Sequence, residues 1–353
     1  MRFSDIIGQE RAKAFLTQVM AREKIPHAYL FTGIPGIGKA STARALTAAL
    51  NCMNPEADDS CGVCATCRKI RTENFPDFVK LAPEGQFIKI DQIRELNRAL
   101  SFAPNEGGYR VCFVERSESL TDEAANSFLK TLEEPPPGNI LILSATEPLD
   151  LLPTIVSRCQ RVPFRPLTPE EIEQYLMERE EVERDSAVVL ARVCRGSLGE
   201  ALRMKDSGFL EARQEWLHEL MALVKVPPEK ALPYALQLAE GLKPLGAQGG
   251  DRARGGLQDL LETWANWYRD LLVLKTGGPE SIIVNVDFSQ KLKKSAKSFK
   301  IENLIHSVQI ITQAGQDLSR NRNPGLVLEH VILALRRLCE WRGDPDRILE
   351  RNH

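Results

Sequence analysis

The chain predicts an α/β domain followed by an all-helical remainder, and three observations carry that prediction. Short apolar runs alternate with helix-patterned stretches up to about residue 165. One of those runs opens into a glycine-rich loop and then an alanine-rich helix, and after Thr168 the pattern is helical throughout. At 353 residues there is room for two or three domains, each with its own core.

"HAYLFTG" is an apolar run ending in glycine, the pattern of a buried strand, and "GKASTARALTAAL" continues as a helix. "FVKLAP" (78–83) reads as a strand, and "IKIDQIRELNRALSFAP" as a strand leading into a helix. "YRVCFVE" (109–115) and "NILILSAT" (139–146) are continuous apolar runs, as expected of a parallel sheet covered on both faces. Between them "TDEAANSFLKTLEEPPPG" reads as a helix capped by Thr121 or Asp122 and closed by three prolines. Thr168 as N-cap, Pro169 at the first helical position and Glu171 at the third form a capping box. Beyond it a small helical unit is expected over about 167–205, then helices near 208–224, 228–241, 255–276, 301–319 and 324–342, with 243–256 as a loop.

Apolar residues make up 43% and charged residues 27%, ordinary values for a globular protein. The formal charge of −2 argues against a protein that coats nucleic acid through its overall charge, and no basic stripe is evident. The charged start "MRFSDIIGQERAKAF" lacks the apolar core of a signal peptide, and no run has the length of a membrane span. The expectation is a cytoplasmic protein with no membrane partner.

"GIPGIGKAST" (33–42) fits the phosphate-binding loop G-x-x-x-x-G-K in strand–loop–helix context, with Gly33, Gly38 and Lys39 in register. The candidate nucleotide-binding set is Gly33, Pro35, Gly36, Ile37, Gly38, Lys39, Ala40 and Ser41. Ala40 stands where a hydroxyl normally holds Mg²⁺, and Ser41 is turned roughly 100° away on a helix. At the end of the strand before "RSESL", Glu115 is followed by Arg116, which cannot act as a general base. ATP or ADP binding is expected to survive these losses, with hydrolysis absent or very slow; a loop kept only for its shape is the alternative.

Cys52, Cys61, Cys64 and Cys67 are spaced C-x8-C-x2-C-x2-C, a closed S₄ set that points to structural Zn²⁺. Free surface thiols are the bland alternative, and an oxidation liability. Cys112, Cys194 and Cys339 sit in apolar contexts and read as packing residues.

"FSDIIGQERAKAFL", "HAYLFTGIPGIGKAS", "CGVCATCRKI", "IDQIRELNRALSFAP", "NSFLKTLEEPP" and "IVSRC" occur in this order. Together they resemble the bacterial sliding-clamp loader of DNA polymerase III, strongly from residue 3 to about 205 and more weakly beyond. The resemblance implies an AAA+ P-loop domain over 1–166 with a zinc module at 52–67, a helical lid over 167–207 and a helical collar, which joins subunits, over 208–353. The family contains an ATP-hydrolysing gamma or tau subunit and a stator-like relative, delta prime. The chain departs from the ATPase pattern at Ala40, at Glu115 and Arg116, and near Gly199, where a sensor arginine is expected; it also runs to 353 without the long extension of tau. The expectation is therefore delta prime. The intact Ser157-Arg158-Cys159 implies that Arg158 reaches into a neighbouring subunit's ATP site, and Thr146 takes the sensor-1 position. Implied partners are gamma or tau and delta in a pentameric ring, with the sliding clamp and primed DNA engaged through the assembly; the polymerase site belongs to another subunit, and direct DNA contact by this chain is expected to be modest. An ATP-hydrolysing gamma/tau-type motor is the alternative, and a generic AAA+ remodeller a third reading.

Overall fold

The computed structural model describes residues 1–22, 25–56, 59–223, 227–241, 250–320 and 322–340. The expected loop at 243–256 lies outside these up to residue 249, as does the Cys339 side chain. From Gly250 onward the chain is already helical, so the expected loop is shorter than its glycines suggested. A glycine costs an exposed helix about 1 kcal/mol, and tertiary packing further along this long helix outweighs that.

The chain divides into two compact units. The first comprises Met1–Leu176 with Cys194–Ala201, the second Met177–Val193 with Leu202–His353.

The first unit is built on five parallel strands: β1 (Ala28–Thr32), β2 (Phe78–Leu81), β3 (Arg110–Val114), β4 (Asn139–Ala145) and β5 (Gln160–Pro163). Their order is β2-β3-β4-β1-β5, which places β1 and the loop it feeds inside the sheet. This is a five-stranded parallel α/β sheet, as the sequence predicts. Four of the expected strands form, β1 to β4, and β5 is added at the edge beside β1. The "IKI" run is not a strand, because only Ile88 bridges, to Leu120.

Alternation along the strands sorts the core into two layers. Leu30, Cys112, Val114, Leu141 and Leu143 face one side with Ile93, Leu96, Phe128 and Leu132. Tyr29, Phe31, Val111, Phe113, Ile140 and Ile142 face the other with Leu16, Ala43 and Leu46. The helices of this unit are α1 (Glu10–Ala21), α2 (Lys39–Asn51), α3 (Ala65–Arg71), α4 (Ile90–Leu100), α5 (Asp122–Glu133) and the one-turn α6 (Pro153–Val156), and all but α3 supply these layers; Ile70 of α3 packs with Ala48 and Phe75 instead. Thr121 caps α5, its hydroxyl accepting from Ala124 N at 3.3 Å. α7 (Pro169–Arg179) opens with the expected capping box: Glu171 N donates to Thr168 Oγ1 at 3.2 Å, and Thr168 N to the Glu171 carboxylate at 2.8 Å.

Helices continue as α8 (Arg184–Val193), α9 (Leu198–Asp206), α10 (Phe209–Ala222), α11 (Ala231–Gly241), α12 (Gly250–Lys275), α13 (Ser289–Ser298), α14 (Ile301–Ser319) and α15 (Pro324–Glu340). In the second unit α12 packs on α14, α13 and α10, and α15 on α11 and α14. Fully buried Trp264 donates Nε1–H to the Trp216 carbonyl at 2.9 Å, fixing α12 against α10. Buried Arg213 reaches Asp287 at 2.7 Å and Asn285 at 2.6 Å, while buried Asp270 accepts from the Asn285 amide at 2.8 Å. Among the described residues no helix is long and apolar enough to cross a membrane.

Candidate functional site

The two ends of α2 carry two candidate sites. At its C-terminal end Cys52 is the C-cap. Cys61 and Cys64 follow in a turn, and Cys64 is the N-cap of α3, its sulfur accepting from Cys67 N at 3.4 Å. The turn aims further amides at sulfur: Cys61 N donates to Cys52 Sγ at 3.3 Å and Cys64 N to Cys61 Sγ at 3.4 Å. Such N–H···S bonds stabilise thiolate and leave the outward lobe of each sulfur for a metal. The four sulfurs lie within 4.8 Å of one another, with Cys52 to Cys67 at 3.8 Å, Cys52 to Cys64 at 4.0 Å and Cys61 to Cys67 at 4.0 Å. A tetrahedral S₄ site with metal–sulfur bonds near 2.3 Å requires sulfur separations of about 3.8 Å. The cluster therefore has the donor set and spacing of a structural zinc site. Without metal the thiols are unequal. Burial opposes ionisation of Cys64, yet amides of Cys67 and Met53 overcome it and lower its pKa to about 6. Burial first, and then the Cys64 sulfur, push Cys67 up to about 12.

The chain's start is fastened to this module. Asp59 accepts from Phe3 N at 3.1 Å and Ser4 N at 3.2 Å, and Arg2 donates to the Cys61 carbonyl. Cys112 and Cys194, by contrast, are buried packing residues whose thiols burial drives up to about 12 and about 11.

At the other end of α2 the chain leaves β1 through Gly33 to Gly38. Gly33, Gly36 and Gly38 have φ of +139°, +76° and +102°, values that a side chain would strain. Ser197 and Gly199 brace the loop: Ser197 Oγ donates to the Pro35 carbonyl at 2.8 Å and Gly199 N to the Gly36 carbonyl at 2.9 Å. A Cβ on Gly36 would stand 2.3 Å from Ser197 Oγ, and one on Gly199 would stand 2.9 Å from Gly36 Cα. Gly199 is thus a close-packing residue against the loop.

Lys39 folds back onto its own loop, donating to the carbonyls of Gly33 and of Ile34, the latter at 3.1 Å. Burial lowers its pKa, and the carboxylates of Glu118 and then Glu115 partly offset that. Ala40 packs against the hydrophobic layer, and Thr42 Oγ1 donates to the Gly38 carbonyl at 2.9 Å. Ile37 is buried, and Gln9 clamps its carbonyl from the side at 3.3 Å. Thr146 follows β4, its carbonyl accepting from Gly33 N at 3.0 Å, which sets it beside the loop's first residue.

Glu115 pairs with Lys80 on β2 at 2.7 Å. Arg116 takes a left-handed conformation, φ +49°, its amide donating to Ser144 Oγ at 3.3 Å. Arg158 lies just past α6. Its Nε donates to Glu133 Oε1 at 2.9 Å and its Nη1 to the Thr154 carbonyl at 2.8 Å, while Nη2 also bonds Glu133. The side chain remains 35% exposed.

Two family models match this chain: "DNA polymerase III, delta subunit" over residues 8–168, and "DNA polymerase III, delta subunit, C terminal" over residues 254–337. Together they span well over half of it. The chain belongs to the DNA polymerase III delta prime subunit family. That family is related to the gamma/tau clamp-loader subunits, and the similarities run to both branches. The chain is 29% identical over 359 residues to DNA polymerase III subunit tau of Bacillus subtilis (strain 168), covering 96% of this chain and 62% of that protein. It is 29% identical over 328 residues to subunit delta' of the same organism, covering 93% of this chain and 96% of that one. With subunit tau of Escherichia coli (strain K12) it shares 34% identity over 209 residues, 58% of this chain and 32% of that protein. Among solved structures it is similar to a gamma subunit-related protein of Thermotoga maritima, at TM-score 0.47 and 20% identity over 92% of this chain and 99% of that one.

Within this delta prime family member, then, the four cysteines come together, Thr146 meets the glycine loop, and Arg158 stands with Glu133. Three residues escaped the sequence reading. Glu118 has the larger effect on Lys39, and one of its carboxylate oxygens is buried with no hydrogen-bond partner; its place three residues after Glu115 was the available signal. Glu133 and Lys80, the partners of Arg158 and Glu115, lie too far along the chain for spacing to reveal. Nor does the expected lack of a basic stripe hold: "KLKKSAK" in α13 exposes four lysines. The run is legible in the sequence itself.

Proposed function

We propose that this chain is the stator of a clamp-loader complex, a subunit that does little or no hydrolysis itself and lends Arg158 to the ATP site of an adjacent gamma/tau-type subunit. The observation that carries the reading is the contrast between Ala40 and Arg158. The loop lacks a metal-binding hydroxyl at Ala40, Glu115 is tied to Lys80, and Arg116 replaces the expected acid. Arg158, in contrast, is intact and held at the surface by Glu133 and the Thr154 carbonyl. An arginine supplied in trans is worth about 10³–10⁵ in rate in other NTPases, because it meets charge that develops on the transferring phosphate.

In this reading residues 1–166 are the AAA+ domain, 167–207 a lid and 208–353 a collar that joins gamma or tau and delta in a pentameric ring. The ring opens the sliding clamp and sets it on primed DNA. Cys52, Cys61, Cys64 and Cys67 hold one structural Zn²⁺, which fastens α2, α3 and the start of the chain. The loop of Gly33, Pro35, Gly36, Ile37, Gly38, Lys39, Ala40 and Ser41 receives ATP or ADP, with Thr146 beside it, and does not turn it over. Lys39 must release the Gly33 and Ile34 carbonyls for a phosphate to enter. Cytoplasmic placement belongs to the same proposal.

An ATP-hydrolysing gamma/tau-type motor is the second reading, favoured by the similarity to tau subunits. Mg²⁺-dependent ATP turnover by the purified chain separates the two. The stator reading predicts none above background; robust turnover lost on Lys39→Ala would install the motor.

A further inference from the structure

The second unit carries a concentration of positive charge on α13. Residues 289–300, "SQKLKKSAKSFK", hold five lysines and no acidic residue in a chain whose formal charge is −2. α13 buries one narrow stripe, Leu292 and Ala296, and turns Lys291, Lys293, Lys294 and Lys297 outward; Lys300 is the exposed N-cap of α14. Lys275, at the end of α12, donates to the Lys297 carbonyl at 3.2 Å and so extends the patch across two helices.

Local chemistry leaves most of this charge uncompensated. Lys293 pairs with Glu280 at 2.7 Å, and Lys291 lies over the Phe288 ring at 5.3 Å. Among the described residues none of Lys291, Lys294 and Lys297 is in an ion pair. Compensation of the helix dipole accounts for Lys297 alone, since only that lysine stands in the last turn. Like charges three residues apart repel by a few tenths of a kcal/mol, so the run costs the isolated helix stability.

We propose that α13 and Lys275 form a docking surface for the phosphate backbone of duplex DNA, bound without sequence preference. Charge complementarity selects the partner, and the make-up of the face selects between polyanions. Outside its buried stripe α13 presents only lysine, serine and glutamine, with no aromatic, arginine or large apolar anchor of the kind on which protein contacts centre. Lysine amines are point charges suited to phosphate oxygens. Lys291, Lys294 and Lys297, spaced by three, form a slowly turning ridge on a helix about 15 Å long, the rise of about four base pairs. This surface is independent of the stator reading, because it needs neither Arg158 nor the phosphate loop.

The test is fluorescence anisotropy of a short labelled duplex titrated with the full chain from about 50 to about 200 mM salt. Changing Lys291, Lys294 and Lys297 together to Gln leaves the buried stripe intact, and relief of their repulsion offsets the small losses at Phe288 and the helix end, so the thermal midpoint should not fall. Each lost phosphate contact lowers the slope of log affinity against log salt by about 0.9, so the slope should fall by about 2–3 and affinity at low salt by at least about tenfold. Lys294→Glu alone should weaken binding in the same direction, which keeps the test readable if the triple variant folds poorly. A control with Lys69, Lys89 and Lys130 changed to Gln should lose clearly less. The proposal is overturned if the wild-type chain does not bind the duplex, if the variants keep its affinity and slope, or if the control loses as much. Loss of polyglutamate binding with duplex binding retained would assign the face to an acidic polypeptide and overturn it too.

Discussion

At the C-terminal end of α2, four sulfurs drawn from sixteen consecutive residues, Cys52 to Cys67, reach the separations of a tetrahedral metal site. At its N-terminal end the glycine loop keeps three left-handed glycines, Lys39 bonds its own loop's carbonyls and Glu115 is tied to Lys80. The stator reading takes this as a phosphate loop without the groups that complete a hydrolytic centre. The difference follows from where each site's parts come from. A closed metal site needs like donors over a short span, and losing any one of them opens the coordination shell. A hydrolytic site gathers its parts from a loop, two strands and another subunit, so single parts can be lost while the loop keeps its shape. The first kind of site stands or falls as a unit; the second can be reduced to a scaffold.

The sharpest way to break this comparison is at the metal. Denaturation in the presence of a chromogenic chelator should release about one Zn²⁺ per chain, and Cys61→Ser should release close to none. Structural zinc is worth about 10–16 kcal/mol in small peptide modules, so that variant should also lose much of the first unit's stability by thermal melt. Absence of bound metal in the wild type would reduce the sulfurs to clustered thiols.

Next in size is the scaffold beside the cysteine end. Asp77 is fully buried; it accepts from Asn105 N, Glu106 N and Gly107 N and lies 3.4 Å from Arg110 Nε. Gly107 in turn packs on Asn51, the last residue of α2, where a Cβ would meet Asn51 Oδ1 at 2.2 Å. Asp77→Ala strands a buried guanidinium and should cost about 3–5 kcal/mol by urea titration. The pH dependence follows from the same contacts. Burial alone would raise the Asp77 pKa, but the three amides and then Arg110 hold it below the ordinary carboxylate value. A depressed folded pKa gives stability that is fully present above the unfolded value of about 3.9 and is lost as pH falls through the folded one. Wild type should lose this contribution below about pH 4, and Asp77→Ala should show a flatter acid limb.

At the loop end the effects should be smaller. Gly36→Ala forces φ +76° on alanine and drives its Cβ into Ser197, a cost of about 1–3 kcal/mol. Lys39→Ala removes only bonds to loop carbonyls and should change stability by about 1 kcal/mol or less, while abolishing binding of a fluorescent ATP analogue. A wild-type chain that binds no analogue would show the loop to be a shape alone.

Much of the first unit was legible because its signals are local. The strands at 28–32, 110–114 and 139–145 are continuous apolar runs, and the Thr168–Glu171 box and the Thr121 cap are set by neighbours within three residues. The cysteine spacing specified its own cluster. What escaped depends on partners far along the chain: β5 exists because Tyr29–Thr32 offers it an edge, Glu133 meets Arg158 across 25 residues, and Lys80 takes Glu115 across neighbouring strands. "IKI" misled because an apolar run alone cannot say whether a sheet edge is within reach, and Ile88 found only an isolated bridge to Leu120. Glu280 shows the same limit in the second unit, since the spacing that exposes the α13 lysines does not reveal which of them it pairs with.

The most direct test of the central claim is DNA-stimulated ATP turnover of a clamp loader reconstituted with Arg158→Ala in this chain. Because Arg158 is exposed and bonded only at the surface, the variant should fold as wild type does. The stator reading predicts a ring that assembles normally but loses the turnover of one interface, a step about 10³-fold or more slower at that site. Unchanged turnover in an intact ring would contradict it.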